Sequence, residues 1–250
     1  MFKIKNFFVI ILLLMVNSVC NASNYPATLT KSEAASRARL SFMVNSVEGI
    51  SYDVYIIGFN EYQRQKWVYE GVLGGEYLAY ISPVGENTVR VQNISLFGGW
   101  SGKAETFEGS INPNKENDEG IYIAKGKRGL PDLLCSKIRA TGGGGFLEKI
   151  FIIKNSSLKN VRFIDKNQTI AVSKATGFER TNYLQDGTVA VHWWTNAPHT
   201  WNGKTLDEVD SGNGIRYTGG RYITVHMLDV NKLVLIPAYT VQTSGHRIEN

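Results

Sequence analysis

The ten residues from His192 to Trp201 carry the most distinctive binding chemistry in the sequence: three indoles, two imidazoles and an amide. Sugar rings stack on aromatic faces, while amides and carboxylates bind their hydroxyl groups. This composition predicts a contact surface for a glycan or receptor of a host cell. We expect five side chains to form it, the aromatics by stacking and the others by hydrogen bonding: Trp194, Asn196, His199, Trp201 and Asp210.

The same segment also fits a packing role. In a strand, His192 and Trp194 would lie on one face and Trp193 on the other, where it would fill a core. Pro198 would end such a strand and leave Trp201 in the loop that follows. The sequence leaves the binding and the packing interpretations open.

Metal binding is a further use for these side chains. His192 and His199, together with His226 or Asp210, offer groups that ligate metals in proteins. Their spacing matches no zinc signature, and the loop acids lack the alternating pattern and central glycine of a helix-loop-helix calcium site. We therefore predict a binding site with no metal and no other cofactor.

The sequence carries no nucleophile elbow, zinc-protease helix or phosphate-binding loop. We therefore expect a binding protein with no catalytic step. Two other classes stay open. One is a secreted toxin that forms pores or acts enzymatically, and the other is a secreted glycan hydrolase with Glu105, Glu108 or Asp210 as its acid.

The N-terminus has the pattern of a secretory signal peptide. Lys3 and Lys5 precede an apolar run from Phe7 to Val16, and small residues follow at Ser18 to Ala22. We therefore assign residues 1–22 to the signal peptide and expect the mature chain to be secreted or held at the cell surface. The apolar run is about half the length that spans a bilayer, so we predict no transmembrane segment in the mature chain.

Charge and cysteine content narrow the class further. Loss of Lys3 and Lys5 with the signal peptide lowers the formal net charge from +5 to +3, which is too small to indicate nucleic-acid binding. Loss of Cys20 leaves Cys135 as the one cysteine of the mature chain, so no internal disulfide forms. We expect Cys135 to be a small buried hydrophobic residue.

Beyond a short helix, the sequence predicts a mainly β protein. Thr30 to Glu33 has the pattern of a capping box, and the helix that it starts is expected to end near Arg39. Short runs of Val, Ile, Tyr and Phe separated by Gly, Asn and Asp follow, which is typical of a β-sandwich or barrel. We assign residues 23–250 to one secreted domain and leave a subdivision near residue 165 open. The predicted strands are Tyr52 to Phe59, Lys66 to Val72, Glu76 to Ile81, Thr88 to Ile94, Ile121 to Ala124, Lys149 to Lys154, Val161 to Ile164, Thr169 to Val172, Thr188 to Trp193, Tyr222 to Met227 and Lys232 to Ile236.

Three other segments are predicted to lie outside strands. Glu108 to Glu119 is polar and predicts an exposed loop, and Thr195 to Thr218 predicts a second long connection. Leu130 to Cys135 predicts one helical turn after its proline. Long loops on a β scaffold are where binding residues usually lie, which fits the contact surface predicted above.

Two stretches carry short motifs that are similar to those of a known protein family. The first is Tyr62 to Trp67 with Val68 to Gly71, and the second is Leu96 to Gly99 with Lys103 to Gly109. Both resemble bacterial chaperone/usher fimbrial subunits, particularly the larger adhesive ones. The resemblance implies an immunoglobulin-like antiparallel β-sandwich completed by a strand from a periplasmic chaperone or from the next pilus subunit. It further implies a fimbrial subunit or lectin-like adhesin that displays a face for a host glycan or receptor.

Overall fold

The computed structural model describes residues 25–63, 73–97, 108–111, 120–139, 146–165, 168–170, 177–195 and 215–249. These residues form a mainly β fold with one short helix and antiparallel sheets packed face to face, which confirms the predicted β-sandwich-like class. The helix is Lys31–Arg37 (α1). The strands are Thr28–Thr30 (β1), Ala38–Asn45 (β2), Ser51–Gln63 (β3), Leu73–Pro83 (β4), Thr88–Gln92 (β5), Glu108–Ile111 (β6), Ile121–Ala124 (β7), Leu133–Arg139 (β8), Phe146–Lys154 (β9), Ser157–Asp165 (β10), Gln168–Ile170 (β11), Gly177–Tyr183 (β12), Val189–Thr195 (β13), Ile215–Asp229 (β14) and Val234–Glu249 (β15).

Helix α1 begins where the sequence predicts it. The Glu33 amide donates to Thr30 Oγ1 at 3.2 Å, and the Thr30 amide donates to the Glu33 carboxylate at 2.9 Å, so the capping box is present. The helix ends at Arg37, slightly before the predicted end, because Ala38 takes an extended backbone and starts β2.

The strands form two sheets. The first sheet has the strand order β1-β5-β4-β3-β2. Strand β6 lies on the same side of β4 as β5, but it pairs with the start of β4, whereas β5 pairs with its later part. The second sheet runs β12-β13-β14-β15-β10-β9-β8-β7, with β11 beside β10. Strands β10 and β15 pair in parallel through Arg162–Phe163 and Val234–Leu235, whereas the other described pairs are antiparallel.

Strands β7 to β10 make a middle layer that is covered on both faces. Phe151 and Ile153 of β9 pack against the first sheet, in a core that includes Tyr52, Val54, Ile56 and Tyr77. Ile150 and Ile152 face the other way and pack against β12 to β15, which we call the outer layer, in a core that includes Val189, Val191 and Leu235. Successive side chains of a strand point to opposite faces, so one apolar run serves both cores.

A third, smaller core lies on the far side of the first sheet. Ala34 of α1 is fully buried there against Ile57, Leu78 and Tyr80. The helix therefore closes the face of the first sheet that the middle layer does not cover.

A buried carboxylate joins the two sheets at the end of β2. Asp132 lies in the β7–β8 connection and is 2% exposed. Its Oδ2 accepts from the Asn45 amide at 2.8 Å and from Lys125 Nζ at 3.0 Å, and its Oδ1 accepts from the Gly126 amide at 2.7 Å. Its own amide donates to the Asn45 carbonyl at 3.0 Å. These bonds, which we call the Asp132 clamp, fix β2 of the first sheet to the β7–β8 connection.

Three segments predicted as loops or turns contain strands instead. Leu130 to Cys135 is not a helical turn, because Cys135 belongs to β8 and pairs with Tyr122 and Ile150 on its two sides. Glu108 to Glu119 begins with β6, whose Ile111 is fully buried in the first core. The connection predicted over Thr195 to Thr218 is shorter at its end, because β14 begins at Ile215.

Other predictions fall on residues that the structure does not describe. The signal peptide at residues 1–22 and the strand predicted over Lys66 to Val72 both lie outside the described residues. Within the described part of the chain, no helix has the length and hydropathy needed to cross a membrane.

We expect Asp132→Ala to lower the free energy of unfolding by about 2 kcal/mol, because the change takes the buried carboxylate away from two backbone amides and the Lys125 ammonium. Urea unfolding of the variant and the wild type measures this loss of free energy. The matched control is Asp53→Ala, which removes a partly exposed ion pair to Lys31 and should cost less than about 1 kcal/mol. Equal losses in the two variants would contradict the role of the clamp.

Candidate functional site

The structure places one of the five residues of the predicted contact surface. Trp194 lies in β13, where it pairs with Gly177 of β12 and Arg221 of β14. The remaining four, Asn196, His199, Trp201 and Asp210, lie outside the described residues, as does the side chain of Trp194. The predicted surface therefore stays a prediction.

Strand β13 separates the neighbouring side chains into two environments. Trp193 faces inward and packs against the second core, with its ring stacked on Tyr222 at 4.5 Å between centroids. Its Nε1 donates to Thr224 Oγ1 at 2.9 Å. His192 lies on the opposite face, where its Nε2 is 2.9 Å from Asn182 Oδ1. The packing interpretation thus describes Trp193, while His192 lies on the outward face.

The same alternation rules out a metal site shared by His192 and His226. His226 is cross-strand to Val189, an inward residue of the second core, and its ring contacts Phe163 edge-on. Burial lowers the pKa of His226 to about 4, so the imidazole is neutral at physiological pH. The described residues contain no group of three or more metal-ligating side chains.

A buried acid that the sequence reasoning missed lies between the middle and outer layers. Glu148 of β9 is fully buried, and its carboxylate accepts hydrogen bonds from the Tyr122 and Thr181 hydroxyls. The Thr181 amide donates to the Tyr122 oxygen at 2.6 Å, which closes a network across β7, β9 and β12. Burial raises the pKa of Glu148, and the hydrogen bonds from Thr181 and Tyr122 oppose that shift in part.

This network is built for packing and gives no access to a substrate. Glu148 has no exposed surface, and both of its oxygens are engaged by protein donors. Burial also raises the pKa values of Tyr122 and Cys135 well above their ordinary range, so both groups stay protonated. Cys135 is a buried free thiol, as the sequence predicts, and its environment makes it unreactive.

The sequence feature that could have revealed this buried acid is the adjacent pair Glu148–Lys149 inside an apolar strand. The two side chains point to opposite faces, and each is almost wholly buried. Lys149 reaches the first sheet, where its Nζ donates to the Ser95 carbonyl at 3.2 Å. Two adjacent charges in a strand that is buried on both faces indicate polar partners in both cores.

The outward face of the outer layer carries an apolar surface that is exposed only in part, because Val225 in its middle pair is buried, with 3% of its surface accessible. Three successive cross-strand pairs of β14 and β15 form it, and we call these six residues the outer strip: Ile223–Val241, Val225–Tyr239 and Met227–Ile236. None of the cores formed by the described residues includes any of the six. Tyr239 is 57% exposed, Met227 53% and Val241 44%.

Polar groups border this strip on the same face. Arg221 precedes Ile223 by two residues, and its Nε lies 2.8 Å from the Glu179 carboxylate. His192 is cross-strand to Ile223 and is held by Asn182. An apolar centre with a polar border that contains arginine is the usual anatomy of a protein interaction surface.

The chain matches no known family model, and neither the curated proteins nor the solved structures include one that is significantly similar to it.

We expect Glu148 to make the protein less stable as the pH rises. Its pKa is higher in the folded than in the unfolded state, so its stabilising contribution is complete below about pH 4 and is lost as the pH rises through the folded pKa. Glu148→Gln removes the charge, so the variant should not show this part of the decline. Urea unfolding between about pH 2 and pH 8 measures the difference between each variant and the wild type.

Glu33→Gln is the control with the opposite sign. Hydrogen bonds from Thr30 lower the pKa of the exposed Glu33, so its contribution is lost as the pH falls through the folded pKa. A difference between wild type and Glu148→Gln that is independent of pH, or that favours the wild type at high pH, would contradict the assignment.

Proposed function

We propose that this chain is an exported binding protein that acts at the cell exterior and docks on a receptor of a host cell, without a catalytic step. The observation that supports the proposal best is the outer strip, in which Met227, Tyr239 and Val241 are exposed on a sheet whose other face packs in a core. Exposed apolar patches with a polar border mark interaction sites on soluble proteins.

The shape and composition of the strip favour a protein receptor over a glycan. A flat sheet face suits another protein, whereas small ligands prefer concave sites. Tyr239 is the one aromatic side chain in the strip, and its other members, such as Met227 and Val241, offer sugars no hydrogen bonds. Tyr, Met and Arg are the residue types that protein interfaces favour, and Arg221 supplies the last of these.

The predicted contact surface belongs to the same proposal. Trp194 lies in β13 beside Arg221 and two residues beyond His192, and both of these residues border the outer strip. We include in this proposal a glycan-binding contribution from the aromatic residues after Trp194, on the basis of their composition alone. The narrower proposal, a fimbrial subunit assembled with a periplasmic chaperone, rests on the sequence resemblance alone.

We expect the double variant Tyr239→Ser/Val241→Thr to weaken binding to cultured animal cells roughly tenfold or more, because exposed anchors at the centre of an interface carry most of its affinity. Binding of the fluorescently labelled exported protein is titrated on a panel of cell types by flow cytometry. Pretreatment of the cells with protease should abolish binding, whereas periodate oxidation of their glycans should leave it in place.

Val84→Thr is the matched control. Val84 is 52% exposed but follows β4 of the first sheet, so its substitution should leave binding unchanged. Binding lost to periodate but not to protease would replace the protein receptor by a glycan. Equal binding by the double variant and the wild type, or turnover of a glycan or protein substrate by the purified chain, would overturn the proposal.

A further inference from the structure

Among the strands that the structure describes, β2 is an edge of the first sheet, and none of them pairs with the outward side of its backbone. It pairs with β3 through alternate residues: the Ser46 amide donates to the Ile50 carbonyl at 2.8 Å, which places the even-numbered positions in hydrogen-bonded pairs. The odd-numbered positions therefore point their amides and carbonyls away from the sheet. At these positions Arg39, Ser41, Met43 and Asn45 are all exposed.

The Asp132 clamp covers one end of this edge and leaves the other end open. The Asn45 amide and carbonyl both bind Asp132, and the Met43 carbonyl accepts from Lys125 Nζ at 2.7 Å. Ser41 lies beyond the clamp, with its outward amide and carbonyl at an exposed position. An open edge of this kind is a template for a further strand.

The side chains next to this open edge are suited to covering by a strand. Leu40 and Phe42 point toward the first core and pack against it, but both stay partly exposed, whereas Val44 at the clamped end is fully buried. A strand added beside β2 would complete the burial of Leu40 and Phe42. Burial of apolar surface would therefore add to the backbone hydrogen bonds.

We propose that the added strand is β2 of a second copy of this chain, paired antiparallel about a two-fold axis at Ser41. In this register the two Ser41 residues exchange both backbone hydrogen bonds, Leu40 faces Phe42 of the other copy, and Arg39 faces Met43, whose carbonyl stays bound to Lys125. No like charges stand opposite each other. Each Arg39 also brings its own counter-charge, since its guanidinium binds Glu61 with an Nε–Oε2 distance of 2.9 Å.

Other two-fold registers on the outward positions are blocked. An axis at Met43 would place at its centre a carbonyl that already accepts from Lys125 Nζ, and it would pair Ser41 with Asn45, whose amide and carbonyl both bind Asp132. An axis at Arg39 would place two guanidinium groups opposite each other at a position that is the extra residue of a bulge. Ser41 is therefore the outward position of β2 about which two copies fit.

The free side of β15 is a poorer template. Its pairing with β14 shifts register at Val225/His226 and at Arg221/Tyr222, and Pro237 interrupts its row of amides. Bulges and proline are the features by which edge strands avoid pairing with other chains. The segment of β2 from Leu40 to Val44, which we call the open half of β2, lies beyond the bulge of this strand. It is regular and contains neither a bulge nor a proline.

The experiment measures the mass of the exported protein by size-exclusion chromatography with light scattering over about 5–500 µM, the range suited to a small interface. The wild type should approach the mass of a dimer as concentration rises. Ser41→Pro removes an amide that β3 does not use, and it should weaken association at least tenfold. Thr28→Pro, on an outward and exposed position of the opposite edge strand β1, should leave association unchanged.

A cysteine at the axis tests the register even if the proline variant fails to fold. Paired Cα atoms at such a position are about 5.5 Å apart, which is within the range of a disulfide. Under mild oxidation Ser41→Cys should give a disulfide-linked dimer on a non-reducing gel and Thr28→Cys should not, while the buried Cys135 stays reduced. A wild type that is monomeric over the whole range, or equal cross-linking by the two cysteine variants, would overturn the proposal.

Discussion

Strand β9 is the constraint on which the rest of the structure depends, because four consecutive side chains, Ile150 to Ile153, are fully buried in two different cores. Burying each such side chain contributes about 1.5–3 kcal/mol, but only if each face of the strand is covered by other apolar residues. The first sheet covers one face and the outer layer covers the other. The layered arrangement follows from a single apolar run that has no solvent-exposed face.

The charged residues at the start of β9 show how this arrangement tolerates polar groups. Glu148 and Lys149 enter different layers, and each finds partners on a neighbouring element: Tyr122 and Thr181 for the acid, the Ser95 carbonyl for the lysine. Because such groups are costly to bury without partners, these contacts also restrict how the layers can be aligned. The described sheet faces between the layers are thus used for packing and alignment. The surfaces for which we propose partners are the outer strip and the open half of β2.

Several elements follow directly from local sequence patterns. The capping box at Thr30 starts α1, and the run from Ile121 to Ala124 gives β7 with its predicted bounds, because both signals lie within a few residues. Strands β2 and β8 were not predicted. The capping box predicts a helix to about Arg39, which overlaps only the start of β2, and the proline predicts a helical turn over Leu130 to Cys135, which overlaps the start of β8. Cross-strand pairing at both positions outweighs these weak local preferences.

The candidate site was less accessible from the sequence than the fold. Strand alternation predicts that His192 and Trp193 lie on opposite faces, but the sequence does not show which face is covered by the middle layer. The outer strip combines residues of β14 and β15 whose pairing passes through a bulge at Val225/His226, and no pattern in either strand alone reveals it. Glu148 was missed for the same reason, since its partners Tyr122 and Thr181 lie on strands far away in the sequence.

The most direct test of the account is photo-cross-linking from the outer strip to the surface of living cells. A benzophenone amino acid replaces Tyr239 in one protein and Val84 in another, both are exported and labelled, and cells that bind the wild type are irradiated with each. We expect a discrete cross-linked host protein from position 239 and none from position 84. Cross-linking of the same host protein from both positions, or from position 84 alone, would contradict a binding role for the outer strip.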